Sequence, residues 1–252
     1  GLRNVTSIRD FSILYAAYLQ LEEGVMTQLS ESILDDDENE EQGEPTTNDD
    51  WDLLVVSQHD SSTNKLAEME LALARTEHLT KRRPLLLNAV KLRQNPNDVQ
   101  VWLERADLQE PRQATTALEQ ALKSIQPTRN ARTSAIVVKL VELYDTQLAR
   151  DLLDRVCRQR FGNLHYDELA VCWARWIELE LQHEQYEEAL SLARQSVARN
   201  KSQHLWDLLF DLEESLGTVQ TTKDAYNRAI ETKIITVQQV LNFASFLEDK
   251  KY

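Results

Sequence analysis

The chain has 252 residues, a formal net charge of −14, 5 Gly, 5 Pro and 2 Cys. So few turn-formers, with abundant Leu, Ala, Glu and Gln, exclude a sandwich or barrel of many short strands and suit an all-α protein. The charge is local: residues 31–50 hold ten acids and no base, leaving 32 acids against 28 bases elsewhere, so a broad basic face for nucleic acid is excluded.

The chain opens at Gly1 and stops at Tyr252 inside an apolar-periodic run, and so reads as a piece of a longer protein. No apolar run approaches the ~20 residues of a membrane span. Cys157 and Cys172 form no C-x-x-C pair and read as two reduced, buried thiols.

In chain order, the first element is a helix led by Tyr15, with Tyr18, Leu21 and Glu22 three, six and seven places on. Those offsets share one helical face. Gly24 is expected to end this helix in the left-handed C′ position. Residues 1–33 are therefore a first helix-pair region. Residues 34–63 carry the acidic run, Pro45 and the polar strings "TTNDD" and "SSTN". Ten like charges with little apolar surface predict a disordered insert, in which Trp51, Leu53, Leu54, Val55 and Val56 form an apolar island.

Residues 64–252 read as a continuing helical repeat of about five further units, the last truncated. "NKLAEMELALARTEHLTKR" is strongly helical, and Pro84 is expected at the first position of a new helix, "PLLLNAVKLRQ". Anchors then stand at Trp102, Val137, Trp173, Trp206 and Leu241, 33–36 residues apart. At offsets of three, six and seven come Trp176, Leu179 and Glu180 after Trp173, and Leu209, Leu212 and Glu213 after Trp206. Val137 is followed by Leu140 at the same first offset. Each anchor helix is followed by a second one led by a small residue: Ala114, Ala149, Ala189 and Thr222. Small residues let two helices approach closely. Helix–turn–helix units of about 34 residues are the mark of an α-solenoid, in which neighbours bury what one unit cannot. The structural anchors are Tyr15, Tyr18, Trp102, Leu140, Trp173, Trp176, Trp206, Leu212 and Leu241. Gly217, after "LEESL", is expected to close a helix as Gly24 does.

No catalytic, cofactor-binding or metal-ligating residue emerges. His59, His78, His165, His183 and His204 are scattered, without ligand pairs at helical spacing. Five glycines leave no room for a phosphate-cradling loop. The recurring carboxylates Glu178, Glu180, Glu213 and Glu214 are expected to pair with an Arg or backbone amide of a neighbouring helix. Lys81, Arg82 and Arg83 form one compact basic cluster. It is a candidate partner or RNA contact, or a helix C-terminus whose dipole favours cations.

An aromatic, an apolar residue six places on and then Glu resembles the half-a-TPR (HAT) variant of the tetratricopeptide repeat. The strings "SIRDFSILYAAYLQLEEGV", "RRPLLLNAVKLRQNPNDVQVWLERADL", "VCWARWIELELQHEQYEEALSLARQSVA", "HLWDLLFDLEESLGTVQTTKDAYNRAI" and "QVLNFASFLEDKKY" go further. In order and spacing they resemble a central part of the SYF-type pre-mRNA-splicing factors, the XPA-binding-protein family. The acidic insert, the region 125–135 with Val137 where the family pattern has Trp, and the short connection between Gln195 and His204 depart from it and suggest a divergent member of fungal type.

The resemblance implies a right-handed all-α solenoid of HAT repeats. It implies a nuclear, non-catalytic scaffold of the spliceosomal NineTeen complex, with no cofactor and no small-molecule substrate. Its implied partners are a crooked-neck-type HAT protein, small NineTeen-complex splicing factors and an intron-binding RNA helicase. The alternatives are an RNA-binding helical-repeat module using Lys81–Arg83, and a scaffold in transcription-coupled DNA repair.

Overall fold

The computed structural model describes residues 4–41, 51–126, 132–160 and 164–250. Among these, all regular structure is helical, in eleven helices. The fold is a helical-repeat solenoid. Packing divides the chain into two units, residues 1–95 and 96–252. Residues 64–94, which the sequence assigns to the continuing repeat, thus pack with the N-terminal helix.

The first unit is an antiparallel hairpin of two long helices, α1 (Ile8–Glu41) and α2 (Trp51–Gln94). Phe11 and Tyr15 stack at 5.8 Å between ring centroids. They form a core with Val90, covered by Val5, Leu19, Leu86 and Leu87. Further along, Arg75 reaches Glu22 at 4.0 Å, and the Lys65 ammonium donates to the Ser32 carbonyl at 3.4 Å. The buried or half-buried positions of α1 include residues 15, 19, 22, 26, 29 and 33. This 3–4 alternation is the seam of a two-helix coil. Helical backbone runs further into segment 34–63 than its composition suggests, α1 reaching Glu41 and α2 starting at Trp51. Residues 42–50 lie outside the described residues, as do the side chains of the Trp51–Val56 island.

Two expectations in this unit are corrected. Pro84 lies inside α2 and starts no new helix. A proline there removes one hydrogen bond and crowds the preceding turn, at about 3 kcal/mol. The helix continues because residues on both sides of the proline are anchored: Ala72 is 1% exposed and Val90 0%. Gly24 lies in the middle of α1 and ends nothing. A Cβ there would meet no atom within 4 Å, so the glycine faces open space.

The second unit stacks helix pairs. They are α3 (Val99–Asp107) with α4 (Pro111–Ser124), α5 (Ser134–Leu143) with α6 (Thr146–Cys157), α7 (Tyr166–Gln182) with α8 (Tyr186–Arg199), and α9 (Gln203–Leu216) with α10 (Val219–Glu231). A single helix, α11 (Val237–Asp249), follows. The lead residues of the second helices, Ala114, Ala149, Ala189 and Thr222, are all at most 2% exposed. Side-chain caps fix several starts: Asp98 accepts from the Gln100 and Val101 amides, and Asp145 from Leu148.

Helix ends use an unexpected set of residues. Gln159, Glu184 and Lys233 have φ of 56°, 59° and 56°. Each sits just past a helix as the left-handed residue of a Schellman turn. The paired bonds are Arg160 N–H to Arg155 and Gln159 N–H to Val156, Gln185 N–H to Glu180 and Glu184 N–H to Leu181, and Ile234 N–H to Ala229 and Lys233 N–H to Ile230. Gly217 ends α9 with φ −80°, outside the left-handed region. What requires glycine there is space: a Cβ would lie 2.6 Å from the Glu213 carbonyl oxygen.

Gln159→Gly, Glu184→Gly and Lys233→Gly should therefore each stabilise the chain, by about 1 kcal/mol. Gly217→Ala should destabilise it by about 1–3 kcal/mol. Urea unfolding followed by circular dichroism measures both.

Candidate functional site

Lys81, Arg82 and Arg83 lie within α2, 11–13 residues before its end at Gln94, so a helix C-terminus is not their setting. Consecutive helical residues point about 100° apart, so three in a row cannot form one patch. Lys81 pairs with Glu77 at 3.7 Å, its side chain 79% exposed. Arg83 lays its guanidinium over the Tyr15 ring, 5.1 Å from the centroid. Arg82 is half-buried. The cluster is thus spread around the helix, and one member serves the Tyr15 core.

The repeat anchors follow a different logic. Tyr15, Trp102, Leu140, Trp173, Trp176, Trp206 and Leu212 are all buried. Tyr18 and Leu241, also named as structural anchors, are instead 49% and 56% exposed. Tyr18 lies off the face that Phe11 and Tyr15 turn to α2. Leu241 sits on α11, of whose residues only Gln239 is buried.

The carboxylate seven places after Trp173 and after Trp206 is the chemical centre of those two repeats. Glu180 of α7 takes a two-pronged contact from Arg150 of α6, Nε at 2.8 Å and Nη2 at 2.6 Å. It also accepts from the Trp176 indole N–H at 3.3 Å. Glu213 of α9 takes the same contact from Arg194 of α8, at 2.6 and 3.1 Å. Tyr144 stands seven places after Val137, and its hydroxyl donates to Glu119 of α4. In all three cases the residue reaches back to the second helix of the preceding pair. Hydrogen bonding to the carboxylates lifts the Arg150 and Arg194 guanidinium pKa values above the ordinary range. Glu178 pairs with Arg175 of its own helix at 3.2 Å. Glu214 accepts from the Tyr226 hydroxyl at 2.6 Å. Burial, then that bond, holds Tyr226 above the ordinary tyrosine range. The partner arginines escaped sequence reasoning because they stand 30 and 19 residues upstream of their carboxylates, at no fixed spacing.

Aromatic rings continue the packing. Phe210 stacks on Tyr226 at 4.0 Å with planes 3° apart, and Tyr226 on Phe243 of α11 at 4.4 Å.

Little resembles a reaction centre. Among the described residues no group of three or more His, Cys, Asp or Glu could hold a metal ion. Cys157 and Cys172 are free and buried. Burial raises both thiols, Cys172 to about 12, so neither is a ready thiolate. An open groove of about 400 Å³ runs between α1 and α2, lined by Met26, Thr27, Ser30, Glu31, Met69 and Leu73. No described helix is long and apolar enough to cross a membrane.

Two family models match the chain end to end. Residues 1–125 match the pre-mRNA-splicing factor SYF1 middle HAT repeat. Residues 127–252 match the pre-mRNA-splicing factor Syf1/CRNKL1 C-terminal HAT repeat. Over its whole length the chain is 36% identical to the pre-mRNA-splicing factor SYF1 of Rattus norvegicus and to that of Homo sapiens, covering 30% of each. It is 26% identical to the pre-mRNA-splicing factor cwf3 of Schizosaccharomyces pombe, covering 32% of it. The chain therefore spans about a third of the length of the curated relatives it matches. Identity is higher to these mammalian relatives than to the fungal one, so a fungal-type assignment gains no support.

Arg194→Ala leaves the Glu213 carboxylate, 1% exposed, without its counter-ion. Because Arg194 is itself half-exposed, the expected loss is about 2–3 kcal/mol, below that of a fully buried pair. Lys81→Ala, in a solvated pair, should cost under about 0.5 kcal/mol. Urea unfolding of the two variants checks the contrast.

Proposed function

The chain belongs to the SYF1 family of HAT-repeat pre-mRNA-splicing factors, and from that premise we propose that it is a scaffold segment that organises protein partners in the nuclear spliceosome. The observation that carries this reading is the end-to-end match to two HAT-repeat splicing-factor models. The architecture supports it. The buried carboxylates Glu180 and Glu213 and the hydroxyls of Tyr144 and Tyr226 each hold one helix to another. Such a fold works geometrically, with stacked helix pairs displaying a long surface over which contacts are distributed.

In this reading the protein does no chemistry of its own. Its partners are other splicing proteins: a second HAT-repeat protein of the crooked-neck type, small factors of the NineTeen complex, and an intron-binding RNA helicase. Direct RNA binding through Lys81, Arg82 and Arg83 is disfavoured by the spread of those side chains around α2.

Rapid depletion of the full-length protein from nuclei should cause unspliced transcripts to accumulate within the first rounds of transcription, read by sequencing nascent RNA. Unchanged splicing after complete depletion overturns the scaffold reading. Reversing the charge of Lys81, Arg82 and Arg83 together should leave the chain's affinity for single-stranded RNA unchanged at two salt concentrations. A steep salt slope that collapses in this variant would establish the RNA-binding module instead.

A further inference from the structure

The α1–α2 hairpin covers only one face of each helix. On α1 a second apolar stripe stands beside the core: Leu14, Tyr18, Leu21 and Val25, at 4–3–4 spacing. They are 42%, 49%, 62% and 38% exposed. The stripe lies about 90° around the helix from the line of Phe11, Tyr15 and Glu22. It therefore has coiled-coil periodicity of its own and extends about three turns. Four large apolar side chains in such a row are costly in water and mark an interaction surface.

The neighbouring edge of α2 supplies the second observation. Arg75, His78 and Arg82 recur along it at intervals of three and four, with Leu71, 50% exposed, at one end. Arg75 and His78 stand one place before the half-buried Thr76 and Leu79, as Leu14, Tyr18 and Leu21 stand one place before Tyr15, Leu19 and Glu22, and in an antiparallel pair equal offsets from the seam fall on the same side of the hairpin. The apolar groove of Met26, Met69 and Leu73 lies on the other side. The charge bias is general: residues 64–94 carry seven Lys or Arg against three acids, and residues 8–34 one base against four acids. The stripe thus has a basic wall along α2. An occupant needs apolar residues at matching spacing and carboxylates along one edge.

We propose that Leu14, Tyr18, Leu21 and Val25, with Arg75 and Arg82 beside them, dock an amphipathic helix of another protein whose apolar face is flanked by Asp and Glu. A nucleic-acid strand fits the surface poorly. Phosphates would engage the arginine row and leave three aliphatic side chains uncovered, with Tyr18 as the single ring for a base to stack on. This assignment rests on the scaffold reading and names one of its partner surfaces.

The test places a photo-reactive benzoylphenylalanine at Leu21 in the full-length protein and cross-links the assembled complex in nuclei. The expected adduct is on an apolar residue of a helical segment of another protein, with acidic residues three or four places away. A synthetic peptide of that segment should bind the purified chain, and Leu21→Glu and Arg82→Glu should each weaken it at least tenfold. Leu21→Ala, equally soluble, should weaken it less, and unchanged melting of all three would show that the fold survives. Adducts confined to RNA, to a second copy of this chain or to a segment without acidic flanks overturn the proposal. So does the absence of an adduct in a complex that assembles normally, while splicing that still depends on the protein would leave the scaffold reading standing.

Discussion

The stacking of α4 to α9 depends on a link from an anchor helix back to the second helix of the preceding pair, made three times at the seventh place after the anchor. Glu180 to Arg150 and Glu213 to Arg194 make it with opposite charges. Tyr144 makes it with Glu119, the acid now standing on the second helix. Glu119 and Arg194 occupy matching places, five after the small leads Ala114 and Ala189, and Arg150 lies one turn earlier on the same face. What persists across these three repeats is a polar bond at one location, whatever pair of groups forms it. A carboxylate 1% exposed is tolerable only when its oxygens are fully engaged, so the bond discriminates against helix placements that would part it. Apolar packing supplies most of the attraction, and the clasp fixes the spacing at which successive pairs stack.

That division of labour explains which features were legible in the sequence. The anchors and small leads obey fixed offsets because a helix repeats every 3.6 residues and each repeat must present the same faces to its neighbours. So the helices of the second unit stand where the 33–36 residue spacing puts them, and Val137, at 0% exposure, does an aromatic's work without the volume. The clasp partners were not legible, because 30 residues separate one pair and 19 the other. Contacts between helices depend on where loops bring them, and loop lengths vary from unit to unit.

Gly and Pro misled for a related reason. Both are read as local punctuation, but their effect is small beside that of a partnered helix. Pro84 costs a hydrogen bond, and α2 holds because α1 grips it before and after that point. Gly24 weakens α1 by about 1 kcal/mol, too little to end a helix gripped at Phe11, Tyr15 and Glu22. At the true left-handed helix ends stand Gln159, Glu184 and Lys233. Their strain of about 1–2 kcal/mol each is held by two backbone bonds and by the packing of the next helix. Tertiary contact decided the helix ends, and no residue-type rule could have found them.

Length separates the two units in what they leave exposed. The paired helices of the second unit run 9–17 residues, with anchors and leads turned inward on both members of each pair. The hairpin helices run 34 and 44 residues, and within their unit each packs against the other. Two antiparallel helices can bury one seam, and any apolar row beyond it stays in water. Tyr18 belongs to such a row, which is why its offset from Tyr15 looked like an interior position and yet led outward. Three residues on from an anchor is a direction about 60° off the seam. In the second unit that direction is covered at Trp176, which is buried. In the hairpin the same sequence pattern becomes surface, and the repeat grammar that builds the solenoid interior yields a site for something outside it.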